Sequence, residues 1–188
     1  MRTKIDIFSG FLGAGKTMLI KKLISEKLSE ENLVVIENEF GEVGIDRSIL
    51  RRTNIKVKEI NAGCICCSIS GDFKKSIEEI KSKYNPQRVI IEPSGVGKLS
   101  EVLNTCRNLE LKSDFSINMI TTVVDVMRYE MYISNFSEFY RDQIINARTI
   151  ILSRTQNSSE ERIKNVVSSI RDLNPKANII TTPWNDLK

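Results

Sequence analysis

Between Gly10 and Thr17 the chain reads Gly-Phe-Leu-Gly-Ala-Gly-Lys-Thr, and no other stretch restricts the fold so narrowly. A G-x-x-x-x-G-K-[ST] segment works when a strand feeds it and a helix leaves it. Its glycines let successive backbone N–H groups turn inward around a phosphate, and the helix N-terminus adds its dipole. Both flanks fit, because Lys4–Phe8 is strand-like and Met18–Ile24 carries a helical apolar pattern. In such a loop Lys16 would reach the outer phosphates and Thr17 would give its hydroxyl to Mg2+. A chance glycine-rich turn is the competing explanation, and the flanks argue against it.

The rest of the chain alternates between the same two kinds of segment. Strand candidates are Ile5–Ser9, Leu33–Glu37, Ile55–Ile60, Arg88–Ile91, Ile117–Val124, Thr149–Leu152 and Asn178–Thr181. Helix candidates are Lys16–Ser29, Ser70–Tyr84, Lys98–Asn108, Phe136–Asn146 and Ser158–Leu173. The last has a start at Ser158 or Ser159 followed by two glutamates, and a stop at Asn174-Pro175. This alternation predicts a mainly parallel β-sheet sandwiched between α-helices, and with the loop at 10–17 after the first strand the expectation is an α/β fold of the P-loop NTPase kind. Ligands then gather at the C-terminal ends of the strands.

A length of 188 residues suits one domain with a substantial core. With 28% charged residues and a net charge of +4 spread along the chain, neither a nucleic acid nor a membrane is expected as a partner. No apolar run reaches membrane-spanning length, and no leader precedes the first strand candidate, so the expected compartment is the cytoplasm. Histidine is absent, which leaves bases and metal ligands to Cys, Asp, Glu, Lys, Asn, Ser or water.

A second constellation lies at Gly63-Cys64-Ile65-Cys66-Cys67-Ser68. Clustered thiolates suit Zn2+, Cu(I) or Fe–S, but Cys-x-Cys-Cys is too short for a two-knuckle structural zinc site. The shell would need oxygen ligands or an open position, which suits transfer better than storage. Buried small hydrophobes and a redox pair are competing explanations. Cys106, on a helix candidate, reads as core. Oxygen donors are close by in Glu37-Asn38-Glu39-Phe40-Gly41-Glu42-Val43-Gly44-Ile45-Asp46, which is either a solvated acidic loop or a segment ordered by the phosphate site.

The segments GFLGAGKT at 10–17, ENEFGEVGID at 37–46, GCICCS at 63–68 and IIEPSGVG at 90–97 together resemble the CobW-type P-loop GTPases, relatives of the nickel-insertion GTPases of urease and hydrogenase (CobW/HypB/UreG-like). The resemblance covers essentially the whole chain. It implies a single nucleotide-binding domain over residues 1–188, slow GTP hydrolysis with Mg2+, and delivery of a transition metal, Zn2+ or Co2+, to a client metalloprotein. It also implies a nucleotide-dependent homodimer. The phosphate cradle would be Gly13, Ala14, Gly15, Lys16, Thr17 and Met18. Lys16, Glu92 and Gly95 would serve catalysis, with Thr17 and Glu92 at Mg2+ and the Gly95 N–H sensing the γ-phosphate. Cys64, Cys66 and Cys67 would hold the transition metal, with Glu37 and Glu42 as oxygen partners. Glu92 could alternatively be a carboxylate favoured at a helix start.

Two departures stand out. GTPases of this kind usually read guanine with Asn-Lys-x-Asp, whereas the corresponding stretch here is Ser153-Arg154-Thr155-Gln156. Arg154 can stack on a purine, and Gln156 is a neutral acceptor that also carries an NH2 donor, so the preference for GTP over ATP is relaxed. Trp184 follows the last strand candidate, where it either covers the base or packs into the core. Many relatives also carry a smaller C-terminal domain, which this sequence lacks. It is either a stand-alone GTPase domain or a piece of a longer protein. Two further functional classes remain open from the residues alone, a thiol redox or metal sensor that binds nucleotide and a P-loop phosphotransferase.

Overall fold

The computed structural model describes residues 2–37, 56–59, 70–110 and 114–187. Within them seven strands form one sheet: β1 (Thr3–Gly10), β2 (Leu33–Glu37), β3 (Lys56–Glu59), β4 (Arg88–Glu92), β5 (Phe115–Asp125), β6 (Thr149–Ser153) and β7 (Asn178–Ile180). Their order is β3-β2-β4-β1-β5-β6-β7, and every pairing is parallel. The helices are α1 (Lys16–Lys27), α2 (Ser70–Tyr84), α3 (Leu99–Glu110), α4 (Tyr129–Asn135), α5 (Ser137–Ile145) and α6 (Glu160–Leu173). Short 3-10 turns occupy Thr155–Asn157 and Trp184–Asp186.

The continuous apolar runs make sense because both faces of a parallel sheet are covered. Every residue of β2 and β4 is buried. Successive residues then serve opposite faces. Phe8, Leu33, Val35, Ile90, Val123 and Ile151 pack with Leu19, Ile20 and Ile24 of α1. Ile5, Ile7, Val34, Ile36, Val89 and Ile91 pack instead with Phe73, Ile77 and Ile80 of α2 and with Val102, Leu103, Cys106 and Leu109 of α3. A third cluster joins Val124, Ile150 and Leu152 to Tyr129, Tyr132, Tyr140, Ile144, Val166 and Ile170 of α4, α5 and α6.

All seven strand candidates and all five helix candidates are present, with ends shifted by one or two residues. Helix α6 starts where expected, with the Ser159 Oγ accepting from the Arg162 N–H at 3.3 Å. Helix α4 is the element sequence reading missed. Its seven residues carry three apolar or aromatic side chains in a row, Met131-Tyr132-Ile133, too short a span for helical periodicity to declare itself.

Candidate functional site

The chain leaves β1 at Gly10, turns through the loop and enters α1 at Lys16, so the loop sits at the C-terminal edge in the middle of the sheet. Gly15 caps α1 with φ +102, a left-handed conformation, and no side chain caps the helix. The N–H groups of that first turn are thus left for a ligand. The Lys16 side chain is buried, and its Nζ donates to the Phe11 carbonyl at 3.2 Å, folded back across the loop.

Glu92 ends β4, next to β1, and is buried. The Thr17 hydroxyl lies within 2.9 Å of its Oε1 and 3.2 Å of its Oε2. A hydroxyl and a carboxylate meeting beside a phosphate loop form an all-oxygen donor set, which fits Mg2+. Glu37 ends β2, one strand further out, and pairs in register with Glu92. Both carboxylates are buried. Glu37 therefore belongs to the same strand-end row as the Thr17–Glu92 pair.

Gly95 closes the other side of the loop. A Cβ there would stand 2.7 Å from the Leu12 backbone nitrogen and 2.8 Å from its Cδ2, so only glycine allows this approach. Gln143 of α5 holds the segment from behind. Its Nε2 donates to the Gly95 carbonyl at 3.0 Å and to the Gly97 carbonyl at 2.9 Å, and the side chain has no exposure to solvent.

The stretch Ser153–Gln156 follows β6. Arg154 has φ +60, and its guanidinium pairs with buried Asp125 and donates to the Gly13 carbonyl at 2.9 Å. The guanidinium is thus committed to the phosphate loop instead of standing free to stack on a base. Gln156 is exposed. Trp184 lies against Gly15, and its Nε1 donates to the Leu152 carbonyl at 3.2 Å. Met18 is exposed at the start of α1, beside the loop.

Cys106 is fully buried in the core and has no role at this edge, as its sequence position suggested. Burial pushes its thiol up to about 12, so it stays protonated. Glu42 and the Cys64, Cys66, Cys67 motif lie outside the described residues, as do Glu39 and Asp46. Among the described residues no three His, Cys, Asp or Glu side chains gather as a metal site. No helix among them is long and apolar enough to cross a membrane.

Sequence reading missed Asp125 and Gln143. Asp125 ends the buried half of β5 as Glu92 ends β4, and a carboxylate closing an apolar run was the signal available for it. Gln143 gives no local signal, since its partners lie more than forty positions away in sequence.

Residues 4–181 match the model of the CobW/HypB/UreG nucleotide-binding domain. The zinc chaperone YeiR of Escherichia coli is 30% identical over 85% of this chain and 48% of its own length. The zinc-regulated GTPase metalloprotein activator 1 of Schizosaccharomyces pombe is 29% identical over 97% of this chain and 46% of its own length. The chain thus spans about half the length of these relatives. Among solved structures, Zn(II)-bound YjiA GTPase from E. coli superposes with a TM-score of 0.75 at 20% identity, covering 100% of this chain and 60% of that one. The hydrogenase maturation factor HypB of Archaeoglobus fulgidus gives 0.68 at 19% identity, over 100% of this chain and 84% of its own.

Proposed function

The chain belongs to the CobW/HypB/UreG nucleotide-binding family, and on that footing we propose that it binds and slowly hydrolyses GTP and uses the cycle to hand a transition metal to a client metalloprotein. The observation that carries this reading is the contact of the Thr17 hydroxyl with both Glu92 oxygens beside the phosphate loop. Residues 1–188 then act as one nucleotide-binding domain, working in the cytoplasm.

The loop backbone from Gly13 to Met18 wraps the phosphates. Lys16 exchanges the Phe11 carbonyl for phosphate oxygens, a trade favoured because a charged acceptor bonds an ammonium more strongly than a carbonyl does. Thr17 and Glu92 would hold Mg2+, which when bound would neutralise charge on the outer phosphates. Glu92 orients the attacking water. The Gly95 N–H, in the segment whose glycine Cα packs on Leu12, reports whether the γ-phosphate is present. Catalysis here is positioning and charge stabilisation. Arg154 ties the base loop to Gly13, and Gln156 and Trp184 complete a guanine site of relaxed stringency.

The metal is cargo. Cys64, Cys66 and Cys67 bind it as thiolates, with Glu37 and Glu42 as oxygen ligands, and Zn2+ or Co2+ suits such a mixed shell. Relatives named as zinc chaperones support zinc. With Glu37 as a metal ligand and Glu92 at Mg2+, the register of Glu37 beside Glu92 supports a coupling in which loss of the γ-phosphate loosens the metal shell. A nucleotide-dependent homodimer belongs to the same reading.

The test is the Zn2+ dissociation constant at fixed pH, with Mg2+ and either a non-hydrolysable GTP analogue or GDP. Tighter binding with the analogue is expected, by roughly 5–150-fold, the usual range of a coupling free energy. Equal affinities would remove the coupling. Cys66→Ser is expected to lose metal and keep nucleotide.

A further inference from the structure

We propose that Arg128 is a phosphate ligand supplied from within the chain, donating to the γ-phosphate of a nucleoside triphosphate held by the loop at 10–17. This rests on the nucleotide-binding reading above and deepens it.

Arg128 lies in the turn between β5 and α4. That turn is fixed by Asp125, whose Oδ1 accepts from the Met127 N–H at 2.9 Å and whose carbonyl accepts from the Arg128 N–H at 3.3 Å. The side chain reaches back over the phosphate loop. Its Nη1 stands 3.9 Å from where a Cβ on Gly13 would be, closer than any other atom outside that glycine's immediate chain neighbours. The same nitrogen donates to the Tyr132 hydroxyl at 3.2 Å, and that hydroxyl donates to the Leu12 carbonyl of the loop at 3.4 Å. Tyr132 is a rigid post, because its ring is held 4.5 Å from Phe11 and 5.7 Å from Tyr140 between centroids. The guanidinium is thereby kept above the loop before any ligand arrives.

The charges around it are unbalanced. Buried Asp125 pairs through its carboxylate with Arg154, and that carboxylate stands 3.9 Å from the Arg128 Nε. One carboxylate thus faces two guanidinium groups. The Arg128 side chain is 57% exposed, and a neutral phenol is its one hydrogen-bond partner among the described residues. Such an arrangement adds little to folding, but it presents a fork of donors to an anion in the loop. A rotation of the side chain carries the fork from the phenol to a phosphate oxygen.

The experiment is calorimetric titration of the wild type, Arg128→Ala and Arg128→Lys with Mg2+ and either GDP or a non-hydrolysable GTP analogue. Thermal melting checks that each variant is folded. Arg128→Ala is expected to bind the analogue at least about tenfold more weakly, the scale of one charge-assisted hydrogen bond, while GDP affinity stays within about twofold. Arg128→Lys recovers part of the loss, since an ammonium keeps the charge and lacks the fork. Equal losses for both nucleotides, or none, would overturn the assignment while leaving the nucleotide site intact. A wild type that binds neither nucleotide would overturn both.

Discussion

The Trp184 indole lies directly on Gly15: a Cβ added to that glycine would stand 2.8 Å from Cη2, at a backbone φ of +102. The chain's last described turn is thereby seated on the residue that opens α1.

Trp184 is the sole tryptophan, so its emission reports on this contact alone. Titration with GTP and Mg2+ is expected to give a saturable change in tryptophan fluorescence. Unchanged emission at a nucleotide concentration that calorimetry shows to be saturating would mean that the ligand does not reach the indole. Gly15→Ala is expected to lower both the melting temperature and nucleotide affinity, since it demands a left-handed alanine and displacement of the ring.

Lys16→Ala removes the ammonium that bonds the Phe11 carbonyl and is poised for phosphate. Nucleotide affinity is expected to fall about 100-fold, roughly the worth of a charged contact to phosphate, with the circular dichroism spectrum unchanged. Phosphate release at the wild-type rate would exclude the loop from turnover.

Asn174 is a structural joint. Its Nδ2 donates to the Ile144, Ile145 and Ala147 carbonyls at 2.8, 3.1 and 2.9 Å, and its Oδ1 accepts from the Lys176 and Ala177 N–H groups. It closes the end of α5 from the end of α6. Asn174→Ala leaves buried polar groups unmatched and is expected to cost about 2–3 kcal/mol, read from urea denaturation. A cost below about 0.5 kcal/mol, typical of surface sites, would mean that water replaces the amide without penalty.

Acid should weaken the fold at the edge away from the site. Hydrogen bonds from Arg88 hold the Glu31 carboxyl below its ordinary value of 4.5, against the opposing effect of burial. The folded-state value is below the unfolded one, so this stabilisation is complete above the ordinary value and is lost as pH falls beneath it. Urea midpoints measured from about pH 6 to about pH 3, across the carboxylate range, should decline more steeply for the wild type than for Glu31→Gln. Parallel declines would remove Glu31 from the acid response.

Local pattern made most of the fold legible. Strands such as Leu33–Glu37 and Arg88–Glu92 are apolar runs that a parallel sheet buries whole, and the glycines and lysine at 10–17 announce their own backbone. Glu92 could be marked as a candidate because its motif is contiguous, and the structure sets it against Thr17. Helix α4 was not legible, because seven residues are fewer than periodicity needs.

By itself the sequence determined the α/β order, the phosphate loop and the family to which the chain belongs. Tertiary structure alone decided which side chains meet there. Thr17 finds Glu92 across 75 positions, and Arg154 finds Gly13 across 141. Neither distance is written in any local repeat. The register that sets Ile7 beside Ile91 and Asp125 beside Ser153 brings those strand ends together, and register is fixed by packing the whole sheet against its helices.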